Sequence, residues 1–435
     1  MRFAQAHGSA HKLAAGAAEL ELVRLPNGVR VALDPMPSLR SAAVGVWQRV
    51  GARWETAAQN GIAHLFEHMA FKGAGARDAR QFAEAIENVG GAMNAATSYE
   101  RTAYFARVTA ENAPFALELI ADILFAPHWH PAELEKEKGV VAQERGEAFD
   151  QPDDRVFELH QGALYPDQAL GRPILGEEET LRHVDVAALA AFREAHLTPE
   201  RVVVSVAGAF DRNALLDKIN ERFGELAAKP PLPRPDARAH AGAASETRPL
   251  EQTHLVLSWP SPPAGAQEMF AARLLAEIFG GGMASRLFQE VREARGLVYA
   301  IDAFLDAFED DGRLIVYAGC AAENARAVAE IVRDQLAELA ENGPTDAELR
   351  RAKAIAGAQL VMGMEAPSAR AEAHAGRVLL RDRLIPMDEF KGKLEAVDAA
   401  SVQAIARKAL AGPACAAAIG PKAGHGAISA FHGRS

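Results

Sequence analysis

The segment RQFAEAIENVGG, from Arg80, and the segment RLFQEVREARGL, from Arg286, carry the same residue at five matched positions: Arg80/Arg286, Phe82/Phe288, Glu84/Glu290, Glu87/Glu293 and Gly90/Gly296. Two further pairs follow in the same order, TAENAPFALELIADIL with AAENARAVAEIVRDQL and AELEKEKGVVAQ with AELRRAKAIAGA. Three blocks matched in one order make the chain two copies of one unit, which restricts it to folds that use a single arrangement of strands and helices twice. Each copy mixes strand and helix signals, so the expected class is α+β: two homologous α/β domains related by internal duplication. At 435 residues the chain has room for both, each with its own core.

The expected domain limits are set by the densest break, AAKPPLPRPDARAHAGAASE at 227–246, whose prolines and small residues suit a linker. An N-terminal domain over 19–226 and a C-terminal domain over 247–435 lie either side, and residues 1–18 read as a mobile tail. ELELVRLPNGVRVALD alternates about Asn27–Gly28, the dipeptide of a tight turn, and predicts a β-hairpin from Glu19. SAAVGVWQRVG, 41–51, predicts a buried strand, and Asn60–Gly61 predicts the cap of a helix that starts there.

Composition narrows the function. Hydrophobic content of 49% with 24% charged residues is globular, and no apolar run is long enough to span a bilayer. The formal charge of -11 offers no basic stripe for phosphates, so nucleic acid is excluded as a partner and cationic partners are favoured. Cys320 and Cys415 stand singly in apolar surroundings and predict neither a disulfide nor a CxxC metal site. The first eighteen residues hold Arg2 and Lys12, no acid and no secretory apolar run; the expected location is the cytoplasm, with the mitochondrial matrix as the alternative.

The chemistry concentrates in GIAHLFEHMAFKG, 61–73. On a helix, His64 and His68 are four apart and share a face, with Glu67 beside them. Two imidazoles presented together suit zinc, which in catalytic sites takes three protein ligands and keeps one position for water. HxxxH alone is equally a common pattern on amphipathic helices; the order HxxEH is the inverted zinc-protease motif. The histidine-free counterpart MFAARLLAEIFGGG in the second copy leaves only one half equipped.

With these motifs the chain resembles the pitrilysin-type (inverzincin) metallopeptidase family, peptidase family M16, and within it the half-length branch that includes the mitochondrial processing peptidase β subunit and bacterial homologues. The likeness runs from LPNGVRV through GIAHLFEHMAFKG, VGGAMNAATSYERTAY, EKEKGVVAQE and GRPILG to GGGMASRLFQEVREARGLVYA. It implies mixed, mainly antiparallel sheets packed with helices, the two domains forming half of a clamshell. It implies one zinc ion per subunit held by His64, His68 and Glu144, the last in VVAQERGE at the family's spacing beyond the second histidine. Glu67 is then the general base, and Glu137 the glutamate that supports the site. Arg292 and Tyr299, in REARGLVY, match the pair that stabilises the developing oxyanion.

The same resemblance assigns Asn94 and Ala95, in GGAMNAATSYE, to an edge strand that receives an extended peptide, although Ala96 stands where the family often has an aromatic. Asp154 and Glu158 fall where the processing peptidase has acids that receive a substrate arginine. Without the resemblance, Glu137, Glu144, Asp154 and Glu158 read as solvated helix faces, Arg292 as a surface arginine and Tyr299 as a strand aromatic. The expected function is zinc-dependent endopeptidase action on unfolded, basic, presequence-like peptides inside a chamber formed by dimerisation. A homodimer is expected, because zinc motif and arginine-tyrosine pair share the chain; a heterodimer with a related subunit is the other option. The competing function is a noncatalytic scaffold or peptide-binding subunit of the same fold.

Overall fold

A computed structural model of the protein describes residues 10–13, 19–230 and 232–433. The chain divides into two compact units. Unit 1 runs to Gln143 and takes in Pro173–Pro235 and Val361–Pro386; unit 2 comprises Glu144–Arg172, Asp236–Leu360 and Met387–Ser435.

Unit 1 is built on a seven-stranded sheet of β1 (Ala10–Leu13), β2 (Leu20–Arg24), β3 (Arg30–Pro35), β4 (Ser41–Gln48), β5 (Ala92–Thr97), β6 (Thr102–Thr109) and β7 (Val202–Gly208), in the order β1-β2-β3-β7-β4-β6-β5. The predicted hairpin is β2 and β3, and the predicted buried strand is β4. The tail expected over 1–18 lies outside the described residues except for Ala10–Leu13, which pair with β2.

Unit 2 carries a five-stranded sheet of β8 (Gly242–Thr247), β9 (Thr253–Pro260), β10 (Val298–Ala307), β11 (Gly312–Cys320) and β12 (Cys415–Gly420), ordered β10-β11-β9-β12-β8. The series β3-β7-β4-β6-β5 repeats as β8-β12-β9-β11-β10, strand for strand and direction for direction. The first pair of each is parallel and the rest are antiparallel. The duplication read in the sequence is therefore a duplication of topology. It extends to Gly90 and Gly296, matched in sequence and both left-handed, with φ 66 and 62. The flanking helix does not repeat: RQFAEAIENVGG supplies most of an α-helix over Ala79–Glu87, whereas RLFQEVREARGL winds as a π-helical turn over Phe288–Glu293.

Both sheets are covered on both faces, so the central strands read as unbroken apolar runs, VVVSVAG and CAAAIG. In unit 1, Val202, Val204 and Val206 pack beneath a layer that includes α1 (Ile62–Ala70), α2 (Ala79–Glu87) and α3 (Ala113–Phe125). The alternate residues Val203 and Ala207 pack against Ala371, Ala375 and Val378 of the helix Pro367–Arg381. After α4 (Pro131–Asp150) the chain enters α5 (Pro152–Leu164), which covers the corresponding face of the second sheet through Val156, against Val256, Ala417 and Ile419.

Each half of the sequence thus lends one helix to the other half's sheet. This is why the compact units are discontinuous rather than the consecutive segments expected over 19–226 and 247–435. β8, moreover, begins inside the stretch read as a linker.

The two lent helices are fastened alike. Arg370, three residues after the proline that opens its helix, donates Nε and Nη2 to the two oxygens of Asp34 at 2.5 and 2.7 Å. Arg155, three after Pro152, donates Nε to Glu246 at 3.1 Å. Asp34 and Glu246 hold the same place in their sheets, each one residue before the position paired with the last glycine of the parallel partner strand. Burial pushes the Asp34 carboxyl up, but hydrogen bonds with His374 and Arg370 outweigh it and hold the group below its usual range.

Candidate metal centre

Helix α1 buries Ile62, Ala63, Leu65, Phe66, Met69 and Ala70 against the sheet, so packing dictates that His64, Glu67 and His68 share its remaining, half-buried face. The two imidazoles stand 4.6 Å apart between centroids with planes inclined at 65°. A carboxylate oxygen of Glu144, on the continuous helix α4, joins them, and the three donor atoms lie within 4.8 Å of one another. Among the described residues this is the one group of three or more histidine, cysteine or acidic side chains so arranged. Two imidazoles and a carboxylate are a donor set that zinc accepts, with a position left for water.

The surroundings prepare these donors. Burial, reinforced by the neighbouring His68, lowers the His64 imidazole to about 4, so at neutral pH its ring is uncharged and retains a lone pair for a metal. Glu137, two helical turns before Glu144 and buried, meets His68 Nδ1 at 3.1 Å and Lys72 Nζ at 2.7 Å. With Nδ1 donating to Glu137, the lone pair of His68 sits on Nε2.

Two residues near α1 escaped that reading. Tyr104 on β6 is fully buried, with no hydrogen-bond partner for its hydroxyl among the described residues. Burial and then the nearby Glu67 carboxylate push this phenol well above its usual value. Glu55 is 3% exposed and accepts backbone N–H groups of Gly61 and Ala63, both at 2.8 Å. Gly61 does stand at the N-cap, but the capping acceptor is Glu55, not Asn60. The capping signal sits five residues upstream of the expected one, where a lone glutamate in RWETAAQN has no periodic mark.

β5 is an outer strand hydrogen-bonded to β6, with Asn94 opposite Phe105 and Ala95 opposite Tyr104. Asn94 is exposed and Ala95 points into the core, so along this strand the backbone and Asn94 face outward. Unit 2 holds the other predicted residues. Arg292 is exposed and lies over the Phe288 ring at 4.8 Å, and Tyr299 on β10 is 67% exposed. On α5, Asp154 is exposed, whereas Glu158 accepts Arg155 Nη1 at 2.7 Å and so carries an internal cation.

Comparison with known proteins identifies the family. The sequence pattern described as Insulinase (Peptidase family M16) matches residues 30–178, and that described as Peptidase M16 inactive domain matches residues 183–356. The chain belongs to peptidase family M16. An uncharacterized zinc protease of Bacillus subtilis is 37% identical over 88% of this chain and 93% of its own length. One from Streptomyces coelicolor is 35% identical over 91% and 88%. Among solved structures, a protease from Helicobacter pylori superposes with a TM-score of 0.85 at 21% identity, covering 93% of this chain and all of that one. A chain of complex III2 from Candida albicans superposes at 0.81 and 20% identity, over 92% and 96%. As an M16 chain with zinc-protease relatives, the protein is of a hydrolase lineage. No helix among its described residues is long and apolar enough to cross a membrane.

Proposed function

We propose that the protein is a zinc endopeptidase of HxxEH type, with one zinc per subunit on His64, His68 and Glu144. The observation that carries this reading is the convergence of those three donors, two from α1 and one from α4, beside Glu67. Zinc held there would supply Lewis acidity for a peptide carbonyl and for the attacking water. Glu67 takes the proton of that water and returns it to the leaving amine. Glu137 holds the His68 ring through Nδ1 and fixes its tautomer. An extended peptide adds to the outer edge of β5 at Asn94 and Ala95 through backbone hydrogen bonds. Arg292 and Tyr299 stabilise the developing oxyanion, a role supported by their exposure and by the family likeness.

In this reading two copies pair and enclose a chamber that admits unfolded peptides, with the cytoplasm as the working compartment and a related subunit as the alternative partner. The preference for basic, arginine-containing peptides is supported by the charge of -11 and by exposed Asp154. Glu158 contributes to it only where a substrate arginine displaces Arg155. A noncatalytic scaffold is the less favoured reading, since a chain freed from catalysis has no need of all four of His64, Glu67, His68 and Glu144.

The test is incubation of the purified protein with an arginine-containing peptide, followed by mass measurement of the products. Cleavage abolished by a chelator and restored by zinc is expected, with Glu67→Gln retaining zinc and losing turnover. A zinc-loaded protein that cleaves nothing across a broad peptide library would favour the scaffold.

A further inference from the structure

The start of α1 is gripped by groups that take no part in the reading above. Glu55 Oε1 accepts the Ala63 N–H and Oε2 accepts the Gly61 N–H, each at 2.8 Å, while Oε2 also accepts the Asn60 side-chain amide at 3.0 Å. The same amide donates to the Pro173 carbonyl at 2.9 Å, and Thr180 Oγ1 donates to the Asn60 carbonyl at 2.8 Å. Gly61 (φ 92) and Gly176 (φ 77) meet backbone to backbone: a Cβ on either would stand 2.7 or 2.5 Å from the other's Cα. GRPILG thus has a place in the fold, as the segment that presses on the helix start.

A helix of nine residues has little stability of its own, and its orientation is set by what holds its ends. His64 and His68 are its third and seventh residues. A slip of one residue at the start turns both rings by about 100° about the axis. Two carboxylate oxygens on the orphan N–H groups of Gly61 and Ala63, either side of Ile62, prevent that slip, and the charge suits the positive end of the helix.

We propose that Glu55 is a positioning residue for the metal centre: by holding the Gly61 and Ala63 amides it sets the rotational phase of α1, and so the direction in which His64 and His68 present their imidazoles. The inference rests on the metal-centre reading and is tested on the full chain with Glu55→Gln, which keeps the shape but turns one amide nitrogen toward a backbone N–H. Asp78→Ala serves as the benchmark, because Asp78 caps α2, which carries none of the proposed ligands.

Zinc affinity is measured by competition with a chelating dye, and coordination by the visible spectrum of the Co2+ form. Glu55→Gln is expected to bind zinc about 10- to 100-fold more weakly, as for other groups that orient ligands, and to alter the cobalt spectrum. Asp78→Ala is expected to lower the melting temperature and change neither. Zinc affinity and cobalt spectrum unchanged in Glu55→Gln, or weakened equally in both variants, would overturn the proposal. Should Glu55→Gln not fold, Glu55→Asp, which keeps the charge and shortens the reach, carries the same comparison. A wild-type chain that takes up no metal would sink the metal-centre reading. Amide exchange over 62–70 in the metal-free protein then decides, and protection unchanged by Glu55→Gln overturns the inference.

Discussion

Glu137 holds His68 in place and also meets Lys72, so its removal disturbs a ligand without removing one. Glu137→Ala is expected to weaken zinc binding by about 10- to 100-fold while the chain stays folded, as read by metal competition and circular dichroism. A second prediction concerns His160, which is buried and hydrogen-bonded through Nε2 to Ser258 Oγ at 2.6 Å. Burial, with Arg313 nearby, lowers its imidazole to about 3. A histidine neutral in the fold but protonated when unfolded contributes stability that is complete above about pH 6.5 and is lost as the pH falls toward 3. His160→Gln should flatten that loss by up to about 1.4 kcal/mol per pH unit, measured by urea denaturation at successive pH values. His64 and His196, each lowered to about 4 chiefly by burial, act in the same direction. At this scale the sequence makes His64, Glu67 and His68 visible, because helical spacing puts them on one face. Glu144 is visible only through family likeness, since spacing within α4 carries no mark of α1. Glu55 is invisible because what it does depends on a loop that brings it back over amides six and eight residues ahead.

The fastening of the lent helices makes unequal demands on its two acids. Asp34 is 2% exposed and receives both Arg370 and His374, whereas Glu246 side-chain exposure is 24% and Arg248 also reaches it. Asp34→Asn leaves the Arg370 charge facing an amide in a buried setting and is expected to destabilise by about 3 to 5 kcal/mol. Glu246→Gln should cost clearly less; equal losses in chemical denaturation would contradict the difference in burial. Hairpin, central strand and histidine-bearing helix are all legible as elements, because alternation, turn chemistry and amphipathic spacing are local. The π-helical turn at Phe288–Glu293 is not, since its segment shares Arg286, Phe288, Glu290, Glu293 and Gly296 with the segment that forms the ordinary helix α2.

For the whole molecule, the internal repeat foretells two copies of one α/β unit, and the structure has two sheets that share one five-strand arrangement. It does not foretell that α5 and the helix Pro367–Arg381 lie on each other's sheets, because an apolar stripe says that a helix needs a sheet and not which one. A protease site engineered into the proline-rich segment 227–235 should therefore yield two pieces that stay together in gel filtration without denaturant, each unit being built from both. Separation of the pieces would refute the exchange.

The exchange also orders the birth of the protein. Unit 1, with α1 and its histidines, is complete only when Val361–Pro386 has been made. On a ribosome that adds about 5 to 20 residues each second, the face of the first sheet meant for that helix stays uncovered while most of the second half is being translated. A prematurely terminated chain is consequently left with exposed apolar surface for chaperones and proteases to act on, and the cell is spared a free-standing fragment bearing the histidine pair.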